Sequence, residues 1–326
     1  MQDFNHSTVL ITGGAGFIGS NLVMNFLENS TVKKVRVLDN LATGHLKNLE
    51  PFMQDPRFEF VEGDIRSVET CKFAVKGVNL VCHQAALGSV PRSIKDPVAS
   101  FEVNVTGFIN MIDAARLEGI KRFVYASSSS VYGDLTESPK VEARVGKVLS
   151  PYASTKMSNE LFAEAYAKNY EMICVGLRYF NVFGPNQDPN GPYAAVIPKF
   201  IDAALRNENP TINGDGSITR DFTPIANVIQ INARALTKEL QVGTHYVFNV
   251  ACGQTTDLNT IWNLVKSITS SSSEANYGPN RKGDILFSLA DIQHAQQILG
   301  YEPNNNIKGS LEACIDYYKS LVKNYE

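Results

Sequence analysis

Residues 8–27 constrain this chain more than any other stretch. Residues 8–11 are a short apolar run of the kind a sheet buries. Gly13-Gly14-Ala15-Gly16-Phe17-Ile18-Gly19 follows at once, and residues 19–27 read as a helix. Each of three glycines has its own task in such a turn. Gly13 permits the tight bend, Gly16 lets the backbone approach a pyrophosphate, and Gly19 lets helix and strand pack closely. The helix N-terminus then faces the phosphate charge. A glycine pattern alone is weak evidence; the strand before it and the helix after it give it weight.

The alternation continues. Residues 35–38, 57–61, 80–83, 122–126 and 173–177 read as further strands, and 106–117 and 154–167 as helices. Strands alternating with helices predict a Rossmann-type, doubly wound parallel sheet, an α/β fold that binds ligands at the carboxyl ends of its strands. Residues 1–180 are expected to form this domain. Residues 181–326, where the pattern loosens, are expected to form a smaller α/β lobe that grips a substrate. Residues 244–250 read as a strand that could return to the sheet. The runs 269–274 and 304–306 read as polar loops.

Composition narrows the partners. The 326 residues are 44% hydrophobic and 19% charged, with a formal net charge of -3, and no basic block is present. That excludes bulk nucleic-acid binding. No run of about 18 apolar residues and no signal-like N-terminus occurs, so no membrane partner is expected. The five cysteines, Cys71, Cys82, Cys174, Cys252 and Cys314, are scattered without metal-ligand spacing. They read as buried thiols of a cytoplasmic protein, with no metal site.

Two clusters carry chemistry. Asp39 lies at the end of the second strand, 20 residues beyond Gly19. An acid there accepts hydrogen bonds from an adenosine ribose and repels a 2'-phosphate, which favours NAD over NADP. The bland alternative is a turn residue, as it is for Asp64 in Gly63-Asp64-Ile65 after the third strand. Tyr152 and Lys156, four apart at the start of a predicted helix, share a face. A neighbouring ammonium and a positive nicotinamide favour the phenolate and make Tyr152 an acid–base group. Ser127-Ser128-Ser129-Ser130 ends the fifth strand, where the nicotinamide should lie.

Taken together, these motifs resemble the extended short-chain dehydrogenase/reductases, and specifically the UDP-hexose and UDP-N-acetylhexosamine 4-epimerases. The marks are residues 13–19, Asp39-Asn40-Leu41-Ala42-Thr43-Gly44, Gly63-Asp64-Ile65-Arg66, His83-Gln84-Ala85-Ala86, Tyr152-Ala153-Ser154-Thr155-Lys156 and Arg178-Tyr179-Phe180-Asn181-Val182-Phe183-Gly184. The resemblance implies NAD as cofactor and Ser128, Tyr152 and Lys156 as catalytic residues. It implies that Gly13, Gly16, Phe17, Ile18, Gly19, Asp39, Asn40, Gly44, Asp64, Ile65, Gln84, Ala85, Ala86, Asn104, Tyr152, Lys156, Tyr179 and Val182 hold the cofactor. Gly88, Ser89, Ser129, Asn181, Ala195, Val196, Asn213, Arg220, Arg281, Asp284 and Ser288 would hold the substrate, with Arg220 and Arg281 clamping the diphosphate. A homodimer through helices 106–117 and 154–167 is also implied.

The implied reaction is reversible epimerisation at carbon 4 of a UDP-N-acetylhexosamine, through a transient 4-keto sugar, in surface polysaccharide supply. Related dehydratases carry an acid two residues before the tyrosine of Val131-Tyr132-Gly133; Ser130 stands there. Ser288 occupies the position of a bulky tyrosine in hexose-only epimerases, and a small residue leaves room for an acetamido group. Thr223-Pro224-Ile225-Ala226 departs from the family's aromatic and acid. Leu286 stands where close relatives have a basic residue, which argues against a uronic-acid substrate. The alternatives are epimerases of UDP-glucose or uronic sugars, a dehydratase, and a non-catalytic NAD-binding regulator.

Overall fold

The computed structural model describes residues 2–191, 194–279 and 287–323. Seven strands form one sheet: β1 (Thr8–Thr12), β2 (Lys34–Asp39), β3 (Phe58–Glu62), β4 (Leu80–His83), β5 (Arg122–Ser128), β6 (Ile173–Tyr179) and β7 (His245–Val250). Their order is β7-β6-β5-β4-β1-β2-β3, and every neighbouring pair is parallel. All residues of β1 and β6 are buried, as expected of parallel strands covered on both faces.

The two faces divide the side chains by the period of two. Val9 and Ile11 join one core, with Leu22, Val23 and Phe26 of α1 (Phe17–Asn29). Leu10 joins the other, which holds residues of α2 (Val68–Val75), α3 (Gly107–Leu117) and α4 (Pro151–Tyr170). The α4 helix begins three residues before the predicted 154, because Ser150 caps the Ala153 amide and Pro151 fits the first turn.

Residues beyond 180 return to this unit. β7 pairs with β6 along its whole length. Val228 and Ile231 of helix α6 (Ile225–Thr237), and Ala295 and Leu299 of the helix Gln293–Leu299, complete the core that α1 lines. A separate core joins α5 (Val196–Leu205), α7 (Leu258–Thr269) and α8 (Ile307–Lys323) around Phe200, Trp262 and Leu311. Small sheets connect the parts. Val182–Phe183 pairs with Thr223–Pro224, so the departing Pro224 starts α6 without interrupting the local pairing.

One stretch differs from expectation. The helix predicted from 106 is preceded by two short ones, Val90–Lys95 and Pro97–Phe101, and by a π turn, Glu102–Thr106, that runs into α3. Ser89 and Asp96 cap the two short helices, and each has a proline in its first turn. Those start signals set the boundaries.

Candidate active site

The carboxyl ends of β1 to β4 open onto a cavity of about 400 Å³, where the strand order reverses between β1 and β4. Gly13 has φ +69°, and a Cβ there would meet the Ala85 amide nitrogen at 2.7 Å. A Cβ on Gly19 would stand 2.1 Å from the Gly13 carbonyl oxygen. The turn therefore closes only with glycine at both places. Gly16 precedes α1 and no side chain caps that helix, which leaves the amides of its first turn to the cavity beside Phe17 and Ile18.

Asp39 lines the same cavity, but its carboxylate is already engaged. Oδ2 accepts from the Ala15 amide at 2.9 Å and Oδ1 from the Leu41 amide at 2.8 Å. Burial raises its pKa and these two amides oppose the shift. Asp39 thus fixes the glycine turn as well as facing a ligand. Asn40 donates to Asp64 Oδ2 at 2.9 Å, and Arg66 donates to both oxygens of that carboxylate. The Arg66 hydrogen bonds hold Asp64 at a pKa of about 2. Ile65, Gln84, Ala85 and Ala86 complete the wall.

Two expected cofactor residues line neither this cavity nor the catalytic one beside it. Gly44 packs against the turn, where a Cβ would lie 2.7 Å from the Ala15 carbonyl carbon. Asn104 is buried, and its amide is spent on protein. Its Oδ1 accepts from the Leu87 amide at 2.7 Å; its Nδ2 donates to the Leu87 carbonyl at 3.1 Å and the Thr155 hydroxyl at 3.2 Å. It positions the loop that leads to Gly88.

A second cavity of about 230 Å³ adjoins the first and shares Ile18, Gln84, Ala86 and Gly88 with it. Ser128, Tyr152, Lys156, Tyr179, Asn181 and Val182 line the rest, together with Ala126 and Ser127. The structure thus brings the three predicted catalytic residues together from β5 and α4. Lys156 donates to the Ala126 carbonyl at 2.8 Å, and its Nζ lies 6.0 Å from the centre of the Tyr152 ring. Burial lowers the Lys156 pKa to about 8, and the Glu160 carboxylate opposes that shift. The Tyr152 phenol moves opposite to the sequence expectation. Burial raises it, and the Ser128 hydroxyl only partly offsets the rise. Within the protein alone, taking the phenolate out of water outweighs its neighbours.

The other expected substrate residues that are described lie outside this second cavity. Ser89, at φ +97°, caps Val90–Lys95. Ser129 opens the 3-10 turn Ser129–Tyr132. Arg220 and Ser288 are register partners on adjacent strands, and the Arg220 guanidinium donates to Thr219 O at 2.8 Å. Asn213 is exposed at a strand end, and Ala195 and Val196 begin α5. Arg281, Asp284 and Leu286 fall outside the described residues.

Sequence reasoning missed four supporting residues. Glu160 and Arg178 form a buried ion pair beneath the site, at 2.7 Å. The Ser93 hydroxyl accepts from the Tyr152 amide at 3.0 Å and donates to Val90 O, which ties the start of α4 to the Gly88 loop. Asn232 reaches Gln84 and Tyr179 from α6. The Lys156–Glu160 spacing, one helical turn, was a usable signal; the other contacts are non-local. All five cysteines are buried, and burial pushes each thiol up to about 12. Among the described residues no group of three or more His, Cys, Asp or Glu could hold a metal, and no helix is long and apolar enough to cross a membrane.

A glycine cradle that opens directly into a phenol–ammonium–hydroxyl pocket defines a class: enzymes that bind a dinucleotide and move a proton where a hydride is exchanged. The cradle fits such a cofactor, since Gly13 and Gly19 have no room for side chains and Asp39 closes the end of β2. Residues 9–251 match the NAD dependent epimerase/dehydratase family. A putative UDP-glucose 4-epimerase of Methanocaldococcus jannaschii is 36% identical over 314 residues, covering 96% of this chain and 98% of that one. A UDP-N-acetylglucosamine 4-epimerase of Methanobrevibacter ruminantium, solved with UDP-N-acetylmuramic acid, superposes with a TM-score of 0.91 at 34% identity, covering 98% and 100%. A UDP-glucuronic acid 4-epimerase of Bacillus cereus, solved with UDP-glucuronic acid and NAD, gives 0.87 at 31%, covering 96% and 99%. The chain belongs to the NAD-dependent epimerase/dehydratase family, and its cofactor is NAD.

Proposed function

We propose that this enzyme interconverts UDP-N-acetylglucosamine and UDP-N-acetylgalactosamine by inverting carbon 4 of the sugar. One observation carries the reaction type. Among the described residues that line the catalytic cavity there is no carboxylate, and Ser130 stands where related dehydratases carry an acid. Elimination needs a general acid or base beyond Tyr152; reversible oxidation at one carbon does not.

Each residue then has a task. Tyr152 takes the proton of the hydroxyl at carbon 4, directly or through Ser128, and returns it after inversion. The Lys156 ammonium, fixed by the Ala126 carbonyl, stabilises the phenolate. Bound NAD supplies reversible hydride acceptance. Asn181 and Arg220 hold the nucleotide end, so the sugar can present either face to the same base.

The acetylated substrate rests on two small residues. A Cβ on Gly88 would meet nothing within 4 Å, and the small Ser288 lies in register beside Arg220, at the position where the resemblance puts a bulky tyrosine in hexose-only epimerases. The similarity to a UDP-N-acetylglucosamine 4-epimerase agrees with this reading. Proton NMR of the protein with UDP-N-acetylglucosamine and no added NAD tests it. Anomeric signals of UDP-N-acetylgalactosamine are expected. Turnover of UDP-glucose or UDP-glucuronic acid alone would overturn the substrate and keep the reaction.

The enzyme acts as a homodimer in this reading. Val98 and Phe101 are exposed on the helix Pro97–Phe101 before α3, and Leu161 and Phe162 on α4; an open groove lined by Pro97, Phe101 and Pro151 runs between the two helices. Clustered exposed apolar side chains of this kind mark an interface. Sedimentation of Phe101→Glu should give monomer where the parent gives dimer.

A further inference from the structure

Tyr179 closes β6, and Gln84 follows β4, two strands away. Both side chains face the catalytic cavity, and Gln84 faces the cofactor cavity as well. Behind them stands Asn232 of α6, fully buried. Asn232 Nδ2 donates to the Tyr179 hydroxyl at 2.8 Å. That hydroxyl donates to Gln84 Oε1 at 3.1 Å. Gln84 Nε2 donates to Asn232 Oδ1 at 3.1 Å. The three bonds close into a ring in which each side chain donates once and accepts once, all in the same sense. The remaining Asn232 amide hydrogen goes to the Val228 carbonyl at 2.7 Å, which fixes the ring to its own helix.

Such a ring is stiff, because each bond polarises the next. Cys82 Sγ braces it, donating to Asn232 Oδ1 and accepting from Gln84 Nε2, each at 3.4 Å. The amide at position 232 donates and accepts at once, as the ring requires. A carboxylate accepts but does not donate; an apolar residue does neither. Burial keeps the second tyrosine of the cavity neutral: it raises the Tyr179 pKa, and the bonds to Asn232 and Gln84 oppose the rise only in part. Tyr152 is thereby left as the phenol that exchanges protons.

We infer that Asn232 is a positioning residue for the cofactor: through the closed ring it locks Gln84 and Tyr179 into the wall between the two cavities and so governs how tightly NAD is retained. The inference rests on NAD as cofactor and is independent of which sugar is turned over. Without the ring, Gln84 loses its fixed orientation, and the wall that should meet the reacting end of the dinucleotide becomes mobile.

The test uses the full chain, and its binding part needs no substrate. NAD bound per chain after gel filtration, and its dissociation constant by fluorescence titration, are measured for the parent, Asn232→Asp, Asn232→Leu and Tyr179→Phe. A core truncation in α8, Leu311→Ala, serves as the control for general loss of stability. NAD affinity should fall on the order of tenfold in both Asn232 variants, the scale of one buried polar group left unpaired. Asn232→Asp should be as defective as Asn232→Leu, although it keeps the shape. In turnover the apparent KM for NAD should rise more than kcat falls. Parent-like retention in Asn232→Asp overturns the inference, as does an equal loss in Leu311→Ala. If the Asn232 variants fail to fold, Tyr179→Phe decides, since it removes two bonds of the ring at nearly constant volume: weakened NAD binding supports the ring, and unchanged binding refutes it.

Discussion

Arg178 donates from Nε and Nη2 to the two oxygens of Glu160, at 2.9 and 2.7 Å, and both side chains are buried under the catalytic cavity. Ser127 adds a hydrogen bond to Glu160 at 2.5 Å, and Arg178 reaches the Glu142 carbonyl at 3.1 Å. Glu160 stands one helical turn beyond Lys156. The pair therefore links the strand that carries Tyr179 to the helix that carries the base.

Removing one member leaves the other charged and buried. Glu160→Ala should cost on the order of 3–5 kcal/mol, because the Arg178 charge loses its partner. Replacing both, Glu160→Leu with Arg178→Met, should cost less than the sum of the single losses, because no unpaired charge remains. Denaturant unfolding of the singles and the double checks this. Additive losses would mean that the pair is not coupled.

A second consequence concerns pH. Burial lowers Lys156 to about 8, and the Glu160 charge keeps it from falling further. A lysine so lowered is an ammonium below that value and neutral above it. If the ammonium supports the Tyr152 phenolate, kcat should fall as pH rises through about 8. Glu160→Gln removes the opposing charge, so this limb should move to lower pH. The kcat–pH profiles of the two proteins give the answer; a limb that stays in place assigns it to another group.

The parts of the site that depend on local spacing are readable in the sequence. The glycine turn, Asp39 and the Tyr152–Lys156 pair each require residues at fixed offsets within one strand–turn–helix unit. Asn232 is not readable, because its partners lie 148 residues away at Gln84 and 53 at Tyr179, and only the closed sheet brings them together. The same holds for Ser93, which meets Tyr152 across 59 residues. The short helices at 90–101 have capping and proline signals but too few turns for an apolar period. The strands of two or three residues beyond 180 are too short to show any pattern, while β7, a run of six with Phe248–Val250 buried, is long enough to read.

The glycine turn offers a graded test. A Cβ on Gly19 would meet the Gly13 carbonyl oxygen at 2.1 Å and Gly14 Cα at 2.7 Å, and neither can yield without moving the turn. On Gly16 the nearest atom is the Gly13 oxygen, at 3.3 Å. Gly19→Ala should therefore destabilise by at least the roughly 1–3 kcal/mol typical of overpacking and lose bound NAD. Gly16→Ala should fold with a smaller drop in Tm. Thermal unfolding with an NAD assay on the purified proteins distinguishes them, and equal behaviour would mean that the turn is looser than drawn.

Tyr152→Phe isolates the proton step from everything that holds the site together. The Tyr152 backbone amide is what Ser93 binds, and the carbonyl is what Thr155 binds, so both contacts survive loss of the phenol oxygen. Tm and bound NAD should stay at parent values. kcat should fall by about 10²–10⁴, the usual worth of a positioned acid–base group. Ser128→Ala should give a smaller loss if the sugar hydroxyl reaches Tyr152 directly, and a loss of similar size if Ser128 relays the proton. Single-turnover NMR on the resident cofactor separates these cases from slow product release. A Tyr152→Phe protein that inverts the sugar at near-parent rate would remove Tyr152 from the chemistry and leave Ser128 and Lys156 as the groups to test next.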